Sequence, residues 1–307
     1  MNLKARTKTT SPARSGQTSA WLSLPPVVFL ALTIGLPLIL IIIYSFLSRH
    51  PSGFGVAWNF TLEPFKQILI QEKLDGTTAL DVRYLKVIWN SFSFAAFTTI
   101  TTLVVSIPMA MWIATRPQKW RAPLVLAVTL PFWTSILIRT YAMRQLLDSK
   151  GVLGYILEVF GIGEGFDILY TPWATILGLT YTFLPFMILP IYSSAEQFDF
   201  RLAEAGYDLG AKRMKVLFRV VLPAIRPGII SGIALVFIPA LGSFLQPDML
   251  GGGKTDMIAN TIANQFGQSR NWPFGAALSV FLIVITAIVV VITLKVGKRN
   301  GQKVELV

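Results

Sequence analysis

Residues 21–47 read WLSLPPVVFLALTIGLPLILIIIYSFL, 27 residues without one charged side chain. A helix crossing a hydrocarbon layer of about 30 Å needs roughly 20 apolar residues, so this run alone places the chain in a membrane. It is longer than a signal-peptide core of about 7–15 residues, and no small-x-small cleavage site follows it. It reads as a retained helix. Five further runs share its character: 91–114, 122–143, 173–194, 227–245 and 274–296. The expected fold is all-α, a polytopic membrane protein with six transmembrane helices over 21–296. A Ser/Thr/Lys/Arg-rich tail over 1–20, expected to be disordered, and a short tail over 297–307 flank it.

Composition points the same way. The 307 residues are 53% hydrophobic and 14% charged, against about 25% charged in a soluble domain, and mean hydropathy is +0.61. That excludes a disordered chain and argues against a soluble enzyme. With no cysteine, disulfides, thiolate zinc sites and thiol catalysis are excluded. The single histidine, His50, excludes a multi-His metal site. No cofactor, metal ligand or catalytic residue is expected.

The formal charge of +12 would suggest nucleic acid on a soluble protein. Here the basic residues follow topology. Seventeen of the 27 Lys and Arg lie in the N-terminal tail, the loops after the second and fourth spans, and the C-terminal tail. Basic residues concentrate in cytoplasmic loops, so both termini are expected in the cytoplasm, and no nucleic-acid partner is needed. Arg139 lies roughly 26 Å along the third span at about 1.5 Å per residue. That depth suits an arginine snorkelling to the outer interface.

Outside the spans, residues 60–70 (FTLEPFKQILI) read as a short interfacial helix and 152–160 (VLGYILEVF) as another, broken by Gly161 and Gly163. Pro37, Pro108, Pro131, Pro185, Pro190 and Pro239 fall inside spans, where each removes a backbone donor and can kink the helix. Gly251 to Thr255 (GGGKT) lacks the first P-loop glycine, Asp248 standing in its place, and no strand precedes it. It reads as a glycine turn. No ionisable residue sits at the centre of a span, which disfavours a proton-coupled pump and an intramembrane hydrolase.

The loop over 197–226 is the most informative. A short helix from Arg201 is expected to end at Gly210, which can take positive φ. A second helix with Met214, Leu217, Phe218 and Val221 at i, i+3, i+4, i+7 follows, closed by Pro223 and Pro227. Two short helices around a glycine make a knob suited to a partner's groove.

The residues of this loop resemble the EAA loop of binding-protein-dependent ABC importer permeases. Glu204, Ala205 and Gly206 stand for Glu-Ala-Ala, Gly210 follows three residues later, and after nine more come Val220, Leu222 and Pro223 in place of Ile-x-Leu-Pro. The resemblance implies the type I ABC importer permease fold in a bacterial cytoplasmic (inner) membrane. It implies a coupling loop docked on an ATP-hydrolysing subunit through Glu204, Ala205, Gly206, Asp208, Gly210, Leu222 and Pro223. Two ATPase subunits, a second permease chain (a copy or a paralogue), an extracytoplasmic solute-binding protein and membrane lipid are the implied partners. The chain itself would be no enzyme.

Further segments are similar to spermidine/putrescine-type permeases: Leu130 to Ala142, Pro185 to Tyr192, Phe237 to Gly252, and Asn271-Trp272-Pro273. A polyamine is the implied solute. An opine, aminoethylphosphonate or another small organic solute is the alternative, with a stand-alone secondary transporter behind it. Polycations are held by carboxylates and aromatic faces, so Asp248, Trp133, Tyr141, Phe186 and Phe237 are the candidate pathway residues.

Overall fold

The computed structural model describes residues 16–53, 55–72, 78–161 and 168–299. Helix α1 (Gly16–Ser45) covers the first apolar run and starts inside the 1–20 segment, while residues 1–15 lie outside the described ones. Strands β1 (Leu47–Arg49) and β2 (Val56–Phe60) pair antiparallel. A one-turn helix α2 (Glu63–Lys66) follows, then the antiparallel pair β3 (Ile70–Glu72) and β4 (Thr78–Leu80). The fold is otherwise helical, as expected. Only one turn of the helix expected over 60–70 forms, with Phe60 ending β2 and Ile70 opening β3.

Helix α3 (Val82–Ala114) runs without interruption through Pro108. Asp81 caps it: its Oδ1 accepts from the Arg83 backbone N–H at 2.9 Å, and the Arg83 guanidinium donates to both carboxylate oxygens at 3.2 and 3.0 Å. Burial pushes the Asp81 carboxyl up, but the Arg83 hydrogen bonds and charge outweigh burial and hold it below the ordinary value.

The third apolar run is not one straight span. Helix α4 (Gln118–Thr129) tightens into a 3-10 turn, Leu130–Trp133, and helix α5 (Ile136–Leu147) leaves at 91°. Pro131 cannot donate in the turn, and Thr134 and Ser135 are extended, with ψ of 151° and 135°. Helix α6 (Val152–Val159) forms where expected and ends at Gly161 (φ 70°). Helix α7 (Pro172–Glu196) stays continuous through Pro185 and Pro190.

The informative loop forms helix α8 (Arg201–Asp208), helix α9 (Arg213–Val216), a π-turn (Leu217–Val221) and helix α10 (Leu222–Ala224). Helix α11 (Arg226–Leu241) turns away from it by 73°. The fifth span also breaks early. After Gly242 comes a separate helix α12 (Leu245–Gly251), so Asp248 lies on α12 rather than at the end of a continuous fifth helix. Helix α13 (Ile258–Phe266) and helix α14 (Trp272–Arg299) complete the chain. Among the described residues four helices are long and apolar enough to cross a membrane, or up to six where each of the two bent pairs counts as one span.

The core is α3, α7 and α11, where Ala95, Ala110, Leu179, Met187, Ile191, Val236 and Ala240 are buried. In lipid there is little hydrophobic drive between helices, so close contact through small residues decides packing. Gly228 and Gly232, four apart on α11, provide it: a Cβ on Gly228 would overlap the Pro190 carbonyl, and one on Gly232 would come within 2.6 Å of the Met187 sulfur. Helix α14 packs on α1 and, through Phe274 and Leu278, receives Phe65 of α2 and Ile68 just after it.

The Asp81 cap yields a stability prediction. Asp81→Ala should destabilise the chain by about 1 kcal/mol, read as a lower melting temperature in detergent at neutral pH. Because the carboxyl is held low, the wild-type advantage should persist down to the ordinary aspartate value of about 4 and vanish as pH falls through the lowered one.

Candidate functional site

Two regions gather the sequence-predicted residues, at opposite ends of the bundle. At one end an ion pair, Arg121 to Glu196 at 3.4 Å, ties the start of α4 to the end of α7, beside the knob made by α8 to α10. At the other end the Ile258 N–H donates to the Ser91 hydroxyl at 2.8 Å, and Thr175 and Thr255 hydroxyls meet at 3.1 Å. These bonds pin the segment after α12 to the starts of α3 and α7.

The knob is built around Gly210. The Ala211 N–H donates to the Gly206 carbonyl at 3.1 Å and the Gly210 N–H to the Tyr207 carbonyl at 2.8 Å. This is a Schellman closure, and it places Gly210 at φ 79°. The chain then doubles back so that Val216 lies against Gly206, where an added Cβ would sit 3.2 Å from a Val216 methyl. Even alanine would be tight there, the Val216 side chain having to give by a few tenths of an ångström.

The apolar face of the second short helix differs from the i, i+3, i+4, i+7 stripe expected from sequence. Val216 and Val221 are buried, and Met214 and Phe218 are 62% and 61% exposed. The π-turn explains this, since its i→i+5 geometry aligns residues five apart. With Leu202, Tyr207 and Leu209 also exposed, the knob presents an apolar tip. Glu204, Ala205, Asp208, Gly210 and Pro223 are exposed around it, with Gly206 and Leu222 half-buried.

At the opposite end Asp248 is exposed on α12 and Asp256 lies in the following turn. Burial first, and then the charge of Asp248, raise the Asp256 carboxyl above its ordinary value. Asn90 donates to the Asp256 backbone carbonyl at 3.4 Å, and Asn260 to the Phe244 carbonyl at 2.9 Å. The glycine turn after α12 forms as expected, with φ of 57° at Gly252 and 74° at Gly253. Beneath it Gln246 is fully buried, donating to Thr182 at 3.1 Å and accepting from Ser243.

The candidate aromatic residues are not one cluster. The Phe186 ring meets Phe132 edge-on at 5.1 Å, and Phe237 lies 6.4 Å from Phe92. Trp133 and Tyr141 are 81% and 53% exposed on the outside of the broken third span. A cavity of about 660 Å³ near Glu63, Asp81 and Tyr84 lies apart from all of them. Sequence reading missed Asp256 and Gln246. Asp256 carries a signal only once the glycine turn folds it back toward Asp248, and Gln246 reads as one more residue of an apolar run.

Residues 84–301 match the family described as binding-protein-dependent transport system inner membrane component. The chain belongs to this family. It is thus an integral inner-membrane permease subunit and not an enzyme. The match takes in α3 to α14 and leaves α1 and the β-hairpins outside. Among relatives, the spermidine/putrescine transport system permease protein PotB of Haemophilus influenzae is 41% identical over 88% of this chain and 91% of its own. The protein of that name in Escherichia coli K12 is 38% identical over 91% and 97%. Among solved structures, a permease chain of a bacterial ABC transporter that imports alginate superposes with a TM-score of 0.69 at 18% identity, over 93% of this chain and 96% of its own. The fold is that of ABC importer permeases.

The Schellman closure makes a test. Gly210→Val should reduce transport at least about tenfold, because a β-branched residue resists positive φ, while the protein still reaches the membrane. Gly210→Asn, which tolerates the left-handed region, should keep much more activity. Uptake normalised to membrane-inserted protein on an immunoblot reads both.

Proposed function

We propose that this chain forms one half of the membrane pathway of an ATP-driven polyamine importer, carrying putrescine or spermidine. The observation that carries the reading is its 41% and 38% identity, over nearly its whole length, to two permeases named for those solutes. The carboxylate pair at one end supports it. Protonated amines are cations at neutral pH, and Asp248 with Asp256 offers them an anionic mouth. The half-buried faces of Phe186 and Phe237 lie deeper, and Trp133 and Tyr141 flank the break in the third span; aromatic faces attract alkylammonium groups.

Both termini and the knob lie in the cytoplasm, as the basic residues require. A second permease chain completes the pathway, and a solute-binding protein delivers solute to the Asp248 end. Two ATPase subunits, one on each permease chain, receive the knob. Leu209, Met214 and Phe218 enter the ATPase cleft, Glu204 and Asp208 meet its polar rim, and Leu222 and Pro223 pass the movement to α11. ATP binding draws the ATPases together, shifts the knob and opens the outer end. Hydrolysis resets the cycle. No bond to the solute is made or broken.

Uptake of labelled putrescine and spermidine in a deletion strain, with and without this gene, tests the solute. Complementation should restore ATP-dependent uptake, and restored uptake of an opine or aminoethylphosphonate alone would overturn the polyamine assignment. Asp248→Asn should lower uptake at limiting solute about tenfold, the effect of losing one charge-assisted contact of about 1.4 kcal/mol. Acidification should weaken solute entry sooner than an ordinary aspartate would allow, because Asp256 takes up its proton at a higher pH. In Asp256→Asn that early loss should disappear.

A further inference from the structure

The guanidinium of Arg139 does not snorkel to an interface, as its depth in sequence suggested. The residue is 8% exposed, and its Nε and Nη1 are buried without a hydrogen-bond acceptor among the described residues. Arginine stays charged at any pH a protein meets, and a buried unpaired charge is among the least tolerated features of a fold. The contact given to it is the Phe132 ring, 5.7 Å from Cζ. An aromatic face compensates a cation only in part.

The surroundings say where an acceptor arrives. Phe132, the cover over the guanidinium, is itself 47% exposed. Leu130, Trp133, Leu137, Ile138 and Tyr141 are exposed around it, forming an apolar face on the broken third span. We propose that this face is where a second permease chain packs, and that an acidic side chain of that partner displaces the Phe132 ring and pairs with Arg139. The inference rests on the reading that two permease chains form the pathway. Charge decides the occupant. A polyamine carries the same sign as Arg139, the ATPases dock at the knob, and lipid tails offer no acceptor.

The chain contains no cysteine, so Ile138→Cys provides a single attachment point for a photoactivatable cross-linker. In the co-expressed complex it should capture the second permease near an acidic residue, identified by mass spectrometry. Arg139→Gln should lower the second permease recovered with the tagged chain about tenfold, and Arg139→Lys should recover part of the loss. Neutralising the captured acidic residue should give the same fall, with no further fall in the double variant. The isolated chain carrying Arg139→Gln should melt no lower than wild type, because an unpaired buried charge has been removed.

A lower melting temperature of that isolated variant would overturn the proposal by showing that Arg139 is satisfied within its own chain. Unchanged recovery of the partner would overturn it too. So would a loss reversed by adding anionic phospholipid to the delipidated complex, which would assign the acceptor to a lipid phosphate. Wild-type protein that brings down no second permease would remove the two-chain reading itself, before any variant is made.

Discussion

Inside a bilayer no water is present to satisfy a peptide group, so each backbone N–H and C=O must find its partner within the protein. The fold follows from that constraint. Helices α3 and α7 run straight through their prolines, and α3, α7 and α11 approach closely enough to exclude lipid between them. The two spans that break do so with their polar groups repaired. At the third, the Thr134 N–H and hydroxyl both donate to the Pro131 carbonyl, at 3.3 and 2.8 Å. At the fifth, Asn260 reaches the Phe244 carbonyl and Ser243 meets Gln246. Irregular backbone at membrane depth is tolerated only where protein or a water-lined path covers it. The pieces beyond these two breaks, α5 and α12, pack together.

The same economy shapes the knob. Its two short helices bury little, with Ala203, Val216, Val221 and Ile225 as anchors, and they leave large apolar side chains in the open. A surface of that kind is held in shape by backbone closure at Gly210 rather than by a core. Its shape is therefore set by its own backbone. The π-turn joins it to α10 and α11 with only Ile225 between the last two helices.

Much of this was legible in the residues. The apolar runs located the four long helices and the two bent pairs, because a helix that must fill a hydrocarbon layer announces itself by length. The Glu204-to-Pro223 spacing located the knob and its glycine. What remained hidden depends on geometry that no short window encodes. Pro131 breaks a span and Pro108 does not, because the residues after Pro131 adopt extended backbone and those after Pro108 stay in a packed helix. The outward turn of Met214 and Phe218 needs a π-turn, which leaves no pattern in the residue types. The two β-hairpins that flank the helix expected over 60–70 stayed hidden because short mixed segments fit either period. Asp248 was singled out by its charge and its place after the fifth apolar run, whereas the raised carboxyl of Asp256 depends on the fold of the turn between them.

Helix α1 has one more consequence. Its apolar window has none of its residues buried in the chain, and its packing partner is α14, more than 200 residues later. At about 5–20 residues per second, the ribosome needs on the order of ten to forty seconds to make the stretch between them. Throughout that interval the first helix stands in the lipid without its mate, while the core of α3, α7 and α11 is being built beside it. The clasp of α1 on α14 thus waits until α3, α7 and α11 have been made. A chain cut short before α14 would present the quality-control proteases of the membrane with a solitary, greasy first helix to recognise.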